Sequence, residues 1–279
     1  MAPRAVDFTG RRLQPEADAH ATPTRDGAAE TDIVFTTAED VASVHYAIGD
    51  IHGMRDLLDA LLTMIEEDAA GARKAIVVLG DFVNRGPATR SVIERLIQGP
   101  TDRQDGWIVL RGNHEQLMLE ALSGASDAAF RRWIQKGGFE TLSSYGLGKK
   151  DISPARARRA VPAEHLQFLD ALPLSYAIED FLFVHAGIDP NLPVNRQTSE
   201  TMMNIRAPFQ RDAHKLPFTV VHGHVPSRSA PVVAPGRICV DTGACLTGVL
   251  TAVALRPSLP PRFLQTPAQR PTANRHGKL

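Results

Sequence analysis

Residues 75–87 read AIVVLGDFVNRGP, and the fold turns on how this stretch is read. Ala75–Leu79 form a short, unbroken apolar run rich in β-branched residues. Gly80-Asp81 closes it, which is the pattern of a buried strand leaving its sheet. Upstream, VHYAIGD (44–50) repeats the pattern. Between the two, Met54, Leu57, Leu58, Leu61, Leu62 and Ile65 recur at three- and four-residue spacing, predicting a helix over 54–69. Downstream, Val92, Ile93, Leu96 and Ile97 predict one helical face over 88–98, and WIVLRGN (107–113) a third strand. Further helices are expected over 115–122, 127–136 and 163–171, with Pro162 suited to a first turn. LSYAIEDFLFVHAG (174–187) reads as two strands around a turn at Glu179-Asp180. FTVVHGH (218–224), RICVDTG (237–243) and GVLTAVAL (248–255) make the second half strand-rich. A βαβαβ first half implies buried parallel strands under helices, and the second half implies another sheet packed on the first, in a layered α/β fold.

The chain has 279 residues, with Lys+Arg and Asp+Glu balanced at 31 each, so its net charge suggests neither a nucleic-acid nor a membrane partner. No apolar run approaches the ~18 residues that span a bilayer, and the N-terminus lacks the apolar core of a secretion signal. Cys239 and Cys245 are too few for a disulfide framework and are expected to be free core thiols. A cytoplasmic protein is the expectation. Residues 1–42 are expected to form a mobile N-terminal tail and 43–256 the catalytic domain. Residues 257–279 are expected to form a Pro-rich basic tail or a strap over the domain surface.

The apolar runs end in polar clusters: Gly49-Asp50-Ile51-His52-Gly53, Gly80-Asp81-Phe82-Val83-Asn84-Arg85-Gly86, Arg111-Gly112-Asn113-His114-Glu115, Val184-His185-Ala186-Gly187 and His222-Gly223-His224. Ligands of open α/β sheets bind where strand ends and their loops converge. Asp, Asn and His offer oxygen and nitrogen donors without thiolate, which suits manganese, iron, zinc or magnesium. There are more donors than one ion needs, so two ions are expected. Arg85 and Arg111 add guanidinium forks for phosphate oxygens. Together these point to metal-dependent hydrolysis of a phosphate ester or anhydride.

GDIHG, GDFVNRG, RGNHE, VHAG and HGH, in this order over residues 44–255, resemble the calcineurin-like metallophosphoesterases. RGNHE, the Arg after GDFVN, and VDTGA (240–244) resemble the phosphoprotein phosphatase branch, especially its bacterial and bacteriophage lambda members. WIQKGGFETLSSYG (133–146), NIRAPF (204–209) and GVLTAV (248–253) add to the likeness. The resemblance implies a four-layer α-β-β-α sandwich of two mixed sheets flanked by helices. It implies that Asp50 and His52 hold one ion, Asp81 bridges two, and Asn113, His185 and His224 hold the second. His224 is preferred over His222, whose role would be supporting or structural. The ions would be manganese, or else iron, zinc or magnesium, and they would deliver hydroxide directly to phosphorus. His114 would protonate the leaving oxygen, while Arg85, Arg111 and Arg206 hold the non-bridging oxygens.

Asn84 departs from this pattern. The phosphoprotein phosphatases carry Asp here, bonded to the ring of the catalytic His. An Asn carbonyl could accept that ring N–H but supplies no charge, so protonated His114 should be disfavoured. The symmetrical dinucleoside tetraphosphate hydrolases carry Ala at this position, within GDLVARGP. The leading expectation is hydrolysis of phosphomonoesters, phosphoserine or phosphothreonine, or else phosphotyrosine, on proteins. Symmetrical dinucleoside tetraphosphate hydrolysis is the alternative. A third reading is a binding protein that recognises phosphorylated partners.

Overall fold

A computed structural model describes residues 33–35 and 42–269, apart from 125 and 179. The strands are β1 (Ile33–Phe35), β2 (Val44–Ile48), β3 (Lys74–Val78), β4 (Gly106–Val109), β5 (Ser175–Ile178), β6 (Phe181–Val184), β7 (Thr219–His222), β8 (Val232–Ala234), β9 (Arg237–Cys239), β10 (Thr251–Leu255) and β11 (Arg262–Gln265). The helices are α1 (Arg55–Ala69), α2 (Thr89–Gln98), α3 (Asn113–Ser123), α4 (Asp127–Trp133), α5 (Phe139–Ser144), α6 (Pro154–Ala160), α7 (Ala163–Asp170), α8 (Ser199–Asn204), α9 (Ala207–Asp212) and α10 (Ala244–Thr247).

Two mixed sheets form, in the orders β11-β10-β2-β3-β4 and β1-β5-β6-β7-β9-β8. β2, β3 and β4 run parallel, as the βαβ reading requires. Every residue of β2 and β3 is buried, and apart from His45 and Lys74 the runs are largely apolar on both faces. Period-two alternation then sorts the side chains. Ala47, Val77 and Val253 cluster with Phe183, Val221 and Ile238 between the sheets. Tyr46, Ile48, Ile76 and Val78 cluster with Leu58, Leu61 and Ile65 of α1. Leu182, Val184 and Val220 cover the outer face of the other sheet with Met202 and Phe209 of α8 and α9. The result is the expected α-β-β-α sandwich. His45 lies in the same interior, with Tyr176 and Phe183 ring centroids 6.4 and 6.5 Å away.

Several boundaries differ from the sequence reading. Ile97 is 43% exposed and leaves the buried face of α2 to Val92, Ile93 and Leu96. The strand expected over 107–113 ends at Val109, and Asn113 already opens α3. There Gly112 N–H donates to Glu115 Oε2 at 2.8 Å, satisfying a first-turn amide from three residues on. The regions expected as tails each contribute a strand. β1 pairs in parallel with β5, and β11 pairs antiparallel with β10, filling backbone positions that an edge would leave unpaired. The rest of the expected N-terminal tail up to residue 41, and residues 270–279, lie outside the described residues. Among the described residues, no helix is long and apolar enough to cross a membrane.

Candidate metal centre

Asp50, Asp81, His185 and His224 each follow the carboxyl end of a strand, β2, β3, β6 and β7 respectively, and Asn113 and His114 stand on the first turn of α3. Folding brings them together beneath one cavity of about 250 Å³. The turns that deliver them are tight. Asp50 Oδ1 accepts the His224 N–H at 3.1 Å, and a Cβ on Gly223 would come within 2.2 Å of the same oxygen, so only glycine fits there.

Two groups of donors result. His52, Asp81 and His114 present donor atoms within 4.8 Å of one another, and so do Asp81, His185 and His224, with Asp81 common to both. Asp50 Oδ2 lies 3.9 Å from His52 Nε2, and Asp81 Oδ2 lies 3.8 Å from it. On the other side, His185 Nε2 lies 3.1 Å from Asn113 Oδ1, 3.2 Å from His224 Nδ1 and 3.4 Å from Asp81 Oδ1. His52 Nδ1–H donates to Val83 O, and His185 Nδ1–H donates to Leu79 O, each at 2.9 Å. Those bonds turn both Nε2 lone pairs inward, the orientation a metal-ligating histidine takes. The Nε2 lone pairs of His52 and His185 therefore face carboxylate and amide oxygens. A cation would relieve that repulsion, so the donor set fits divalent metal.

The electrostatics agree. Burial first, then Asp241 and Asp81, raise the Asp50 carboxyl well above its ordinary pKa; burial and Glu115 do the same for Asp81. Burial lowers His52 to about 3 and His224 to about 4, keeping both neutral and able to ligate.

Two buried carboxylates belong to the site without an expected role. Glu115 collects backbone N–H groups from Asp81 (2.8 Å), Phe82 (2.9 Å) and Val83 (3.1 Å), besides that of Gly112. It shapes the loop that presents Asp81. Asp241 lines the cavity, accepts the Gly243 N–H at 2.8 Å, and is raised to about 6, first by burial. Glu115 was legible as part of RGNHE and Asp241 as part of VDTGA, but the backbone each gathers is not.

Asn84 is fully buried and does touch His114, though not as expected. Its Oδ1 accepts from Trp133 Nε1–H at 2.8 Å and from the Thr141 hydroxyl at 2.9 Å. An indole can only donate, so the carbonyl is committed there and the amide must face the other way. Asn84 Nδ2 then donates to His114 Nδ1 at 2.9 Å. The expected carbonyl-to-ring bond is thus reversed. His114 Nδ1 is an acceptor, the ring is neutral, and its hydrogen sits on Nε2, so His114 has no free lone pair for the donor group it shares with His52 and Asp81. Burial, then His52 and Arg85, also disfavour protonation. Nε2–H points toward the metal donors, 3.9 Å from Asp81 Oδ2. Arg85 Nη2 lies 3.2 Å from the same Nε2, so two donors converge where an anion's oxygen would satisfy both.

Arg85 and Arg206 line the cavity. Arg111 does not. Its backbone N–H donates to Pro173 O at 2.9 Å, and its guanidinium bonds Gln116 Oε1 at 3.2 Å and the Asp170 carbonyl. The chain turns into α3 directly after it, which aims the side chain at α7 instead of the metals. His222 packs edge-on against Phe209, centroids 5.0 Å apart, away from the cavity. Cys239 and Cys245 are free. Cys239 is a core thiol, but Cys245 lines the cavity instead.

Residues 46–249 match the family described as calcineurin-like phosphoesterase. A symmetrical bis(5'-nucleosyl)-tetraphosphatase of Paracidovorax citrulli is 31% identical over 187 residues, covering 66% of this chain and 58% of that protein. Its namesake from Delftia acidovorans is 34% identical over 145 residues, covering 52% and 44%. The chain spans about half the length of the curated relatives it matches. Among solved structures, a chain provisionally described as a diadenosine tetraphosphatase superposes with a TM-score of 0.61 at 23% identity, covering 85% of this chain and 98% of that one. A protein serine/threonine phosphatase from Saccharomyces cerevisiae superposes with a TM-score of 0.54 at 15% identity, covering 86% and 84%. At these identities the superpositions show a common fold and nothing finer.

Proposed function

Because the chain belongs to the calcineurin-like phosphoesterase family of hydrolases, we propose that it cleaves a phosphoanhydride, with symmetrical dinucleoside tetraphosphates as its substrate class. This reverses the preference for phosphoproteins drawn from RGNHE and VDTGA. The curated relatives are tetraphosphatases by name. The observation that carries the reading is the bond from Asn84 Nδ2 to His114 Nδ1. An alkyl phosphoester expels an alkoxide, which needs a full proton in the transition state. A polyphosphate expels a stabilised phosphate anion, for which a hydrogen bond suffices.

Asp50, His52, Asp81, Asn113, His185 and His224 would hold two divalent ions, which when bound lower water's pKa toward neutrality and draw charge from phosphoryl oxygens. The rest falls to the chain. Arg85 and Arg206 face the cavity and suit the non-bridging oxygens with paired hydrogen bonds. His114 offers Nε2–H to the departing bridge oxygen, and Asn84 holds that hydrogen on Nε2. Water adds across the P–O–P bridge: one phosphate gains the hydroxyl, the other leaves as the anion with the bridge oxygen, and the water's remaining proton passes to solvent. Glu115 keeps the loop of Asp81 rigid throughout.

The test is a comparison of kcat/KM on diadenosine tetraphosphate and on phosphoserine and phosphothreonine peptides, with the protein loaded in turn with manganese, iron, zinc and magnesium. The tetraphosphate should be preferred by at least about tenfold, or 1.4 kcal/mol. A preference for the peptides would return the phosphoprotein reading to first place.

A further inference from the structure

α4 does not run on regularly into α5. Between them the chain kinks over Ile134–Gly138, where Lys136 (φ −94°, ψ 16°) and Gly137 (φ 98°, ψ 14°) leave helical geometry. Here the distortion has a local cause. The Gly137 carbonyl accepts the Arg85 backbone N–H at 3.2 Å, and a Cβ on Gly137 would come within 2.6 Å of that nitrogen. The turn and the loop bearing Arg85 are therefore one unit. Its effect is to set the Lys136 side chain on the wall of the metal-site cavity, together with Arg85 and Arg206. Among the described residues, no hydrogen bond or ion pair occupies the Lys136 ammonium. The turn places a free cation at the cavity.

We propose that Lys136 reads the length of the phosphate chain, gripping a phosphate beyond the one held by Arg85 and Arg206. This rests on the polyphosphate reading above. A lone phosphate is already matched by two guanidinium forks beside the metal donors. A third cation adds affinity only when further phosphate groups follow. Lysine suits that role, because its ammonium is a point charge on a flexible stem and tolerates the varied rotations of a polyphosphate.

The experiment measures calorimetric affinities of the metal-loaded protein for orthophosphate, pyrophosphate and tripolyphosphate, in the wild type, Lys136→Met and Lys136→Arg. Each anion chelates metal equally in all three proteins, so the ratio between proteins isolates the side chain. Lys136→Met should weaken tripolyphosphate by about tenfold, the loss of one charge-assisted contact, and orthophosphate by less than about twofold. Lys136→Arg should recover most of the difference. On diadenosine tetraphosphate the Met variant should raise KM more than it lowers kcat. Equal weakening of orthophosphate and tripolyphosphate, or of neither, overturns the proposal. If the wild type prefers phosphopeptides, the proposed function fails, while the affinity ratio still decides Lys136 by itself.

Discussion

Between the sheets and at their carboxyl ends, the same strands meet opposite demands. Inside, Ala47, Val77, Phe183 and Val253 pack on relaxed extended backbone. A few residues further along, His52, Asp81, Asn84, Arg85 and His224 all adopt positive φ, from 45° to 69°; among the described residues only Ala70 and Ser258 join them as non-glycine examples. Each such residue costs roughly 1–3 kcal/mol, and it persists only where the surroundings over-determine it. The interior supplies that determination. The strain is thus concentrated on the residues that aim donors into the cavity, and the apolar sandwich holds it in place.

The contrast breaks most severely at Asp81, the carboxylate shared by both donor groups. Asp81→Asn should cut metal affinity by more than the roughly 100-fold typical of an outer partner, with activity falling in parallel. Metal titration checks this, and a variant that binds two ions normally would refute the shared role. Glu115→Gln comes next. It would turn an amide N–H toward backbone N–H groups that now share a carboxylate. It should destabilise the fold by about 2–4 kcal/mol, read from urea unfolding of the metal-free protein.

Asn84→Asp reaches less far but sharpens the site's chemistry. A carboxylate cannot donate to His114 Nδ1, so the ring hydrogen should move there and the imidazolium become accessible. Turnover of phosphoserine peptides should rise by about tenfold, part of what general acid catalysis contributes. Aryl phosphates and diadenosine tetraphosphate should change little. Nitrogen-15 shifts of His114 would report the tautomer directly, and an equal response on all substrates would contradict the assignment.

The smallest effect lies on the interior side of the contrast. Burial lowers His45 from 6.5 to about 4, and its Nε2 has no hydrogen-bond partner among the described residues. Between these values the folded ring is neutral while the unfolded one is protonated. The unfolded state therefore binds more protons, and stability falls as pH drops through that window. His45→Phe should remove its share of this slope, gaining about 2 kcal/mol at pH 5 relative to pH 8. Urea midpoints at the two pH values decide it, and an unchanged slope would place the titration elsewhere.

What could be read from the chain follows the same division. Strand runs and candidate metal donors are contiguous, so AIVVLGD announces both a strand and the residue at its end. Directions set by distant residues are not contiguous. The Asn84 amide is oriented by Trp133 and Thr141, 49 and 57 residues away. Arg111 is drawn off by a carbonyl at Asp170, and Glu115 matters through amides more than thirty residues upstream. β1 and β11 were hidden because edge pairing needs backbone more than pattern. The relation between Lys136 and Arg85 rests on a single carbonyl in an irregular turn that no helical periodicity signals.

The pairing of β10 also fixes the order in which a newly made chain can mature. β2, which leads to Asp50, borders β10 on one side, and β10 is bordered by β11 in turn. The loop bearing Asp241 and Cys245 is tied down from beyond: Leu250 N–H donates to Thr266 Oγ1 and Gln269 N–H to Gly248 O, each at 3.0 Å. During synthesis the first donors therefore leave the ribosome some two hundred residues before the segment that secures the cavity's far wall. Asp50 and His52 therefore belong to a sheet that is complete only once β10 and β11 have joined it.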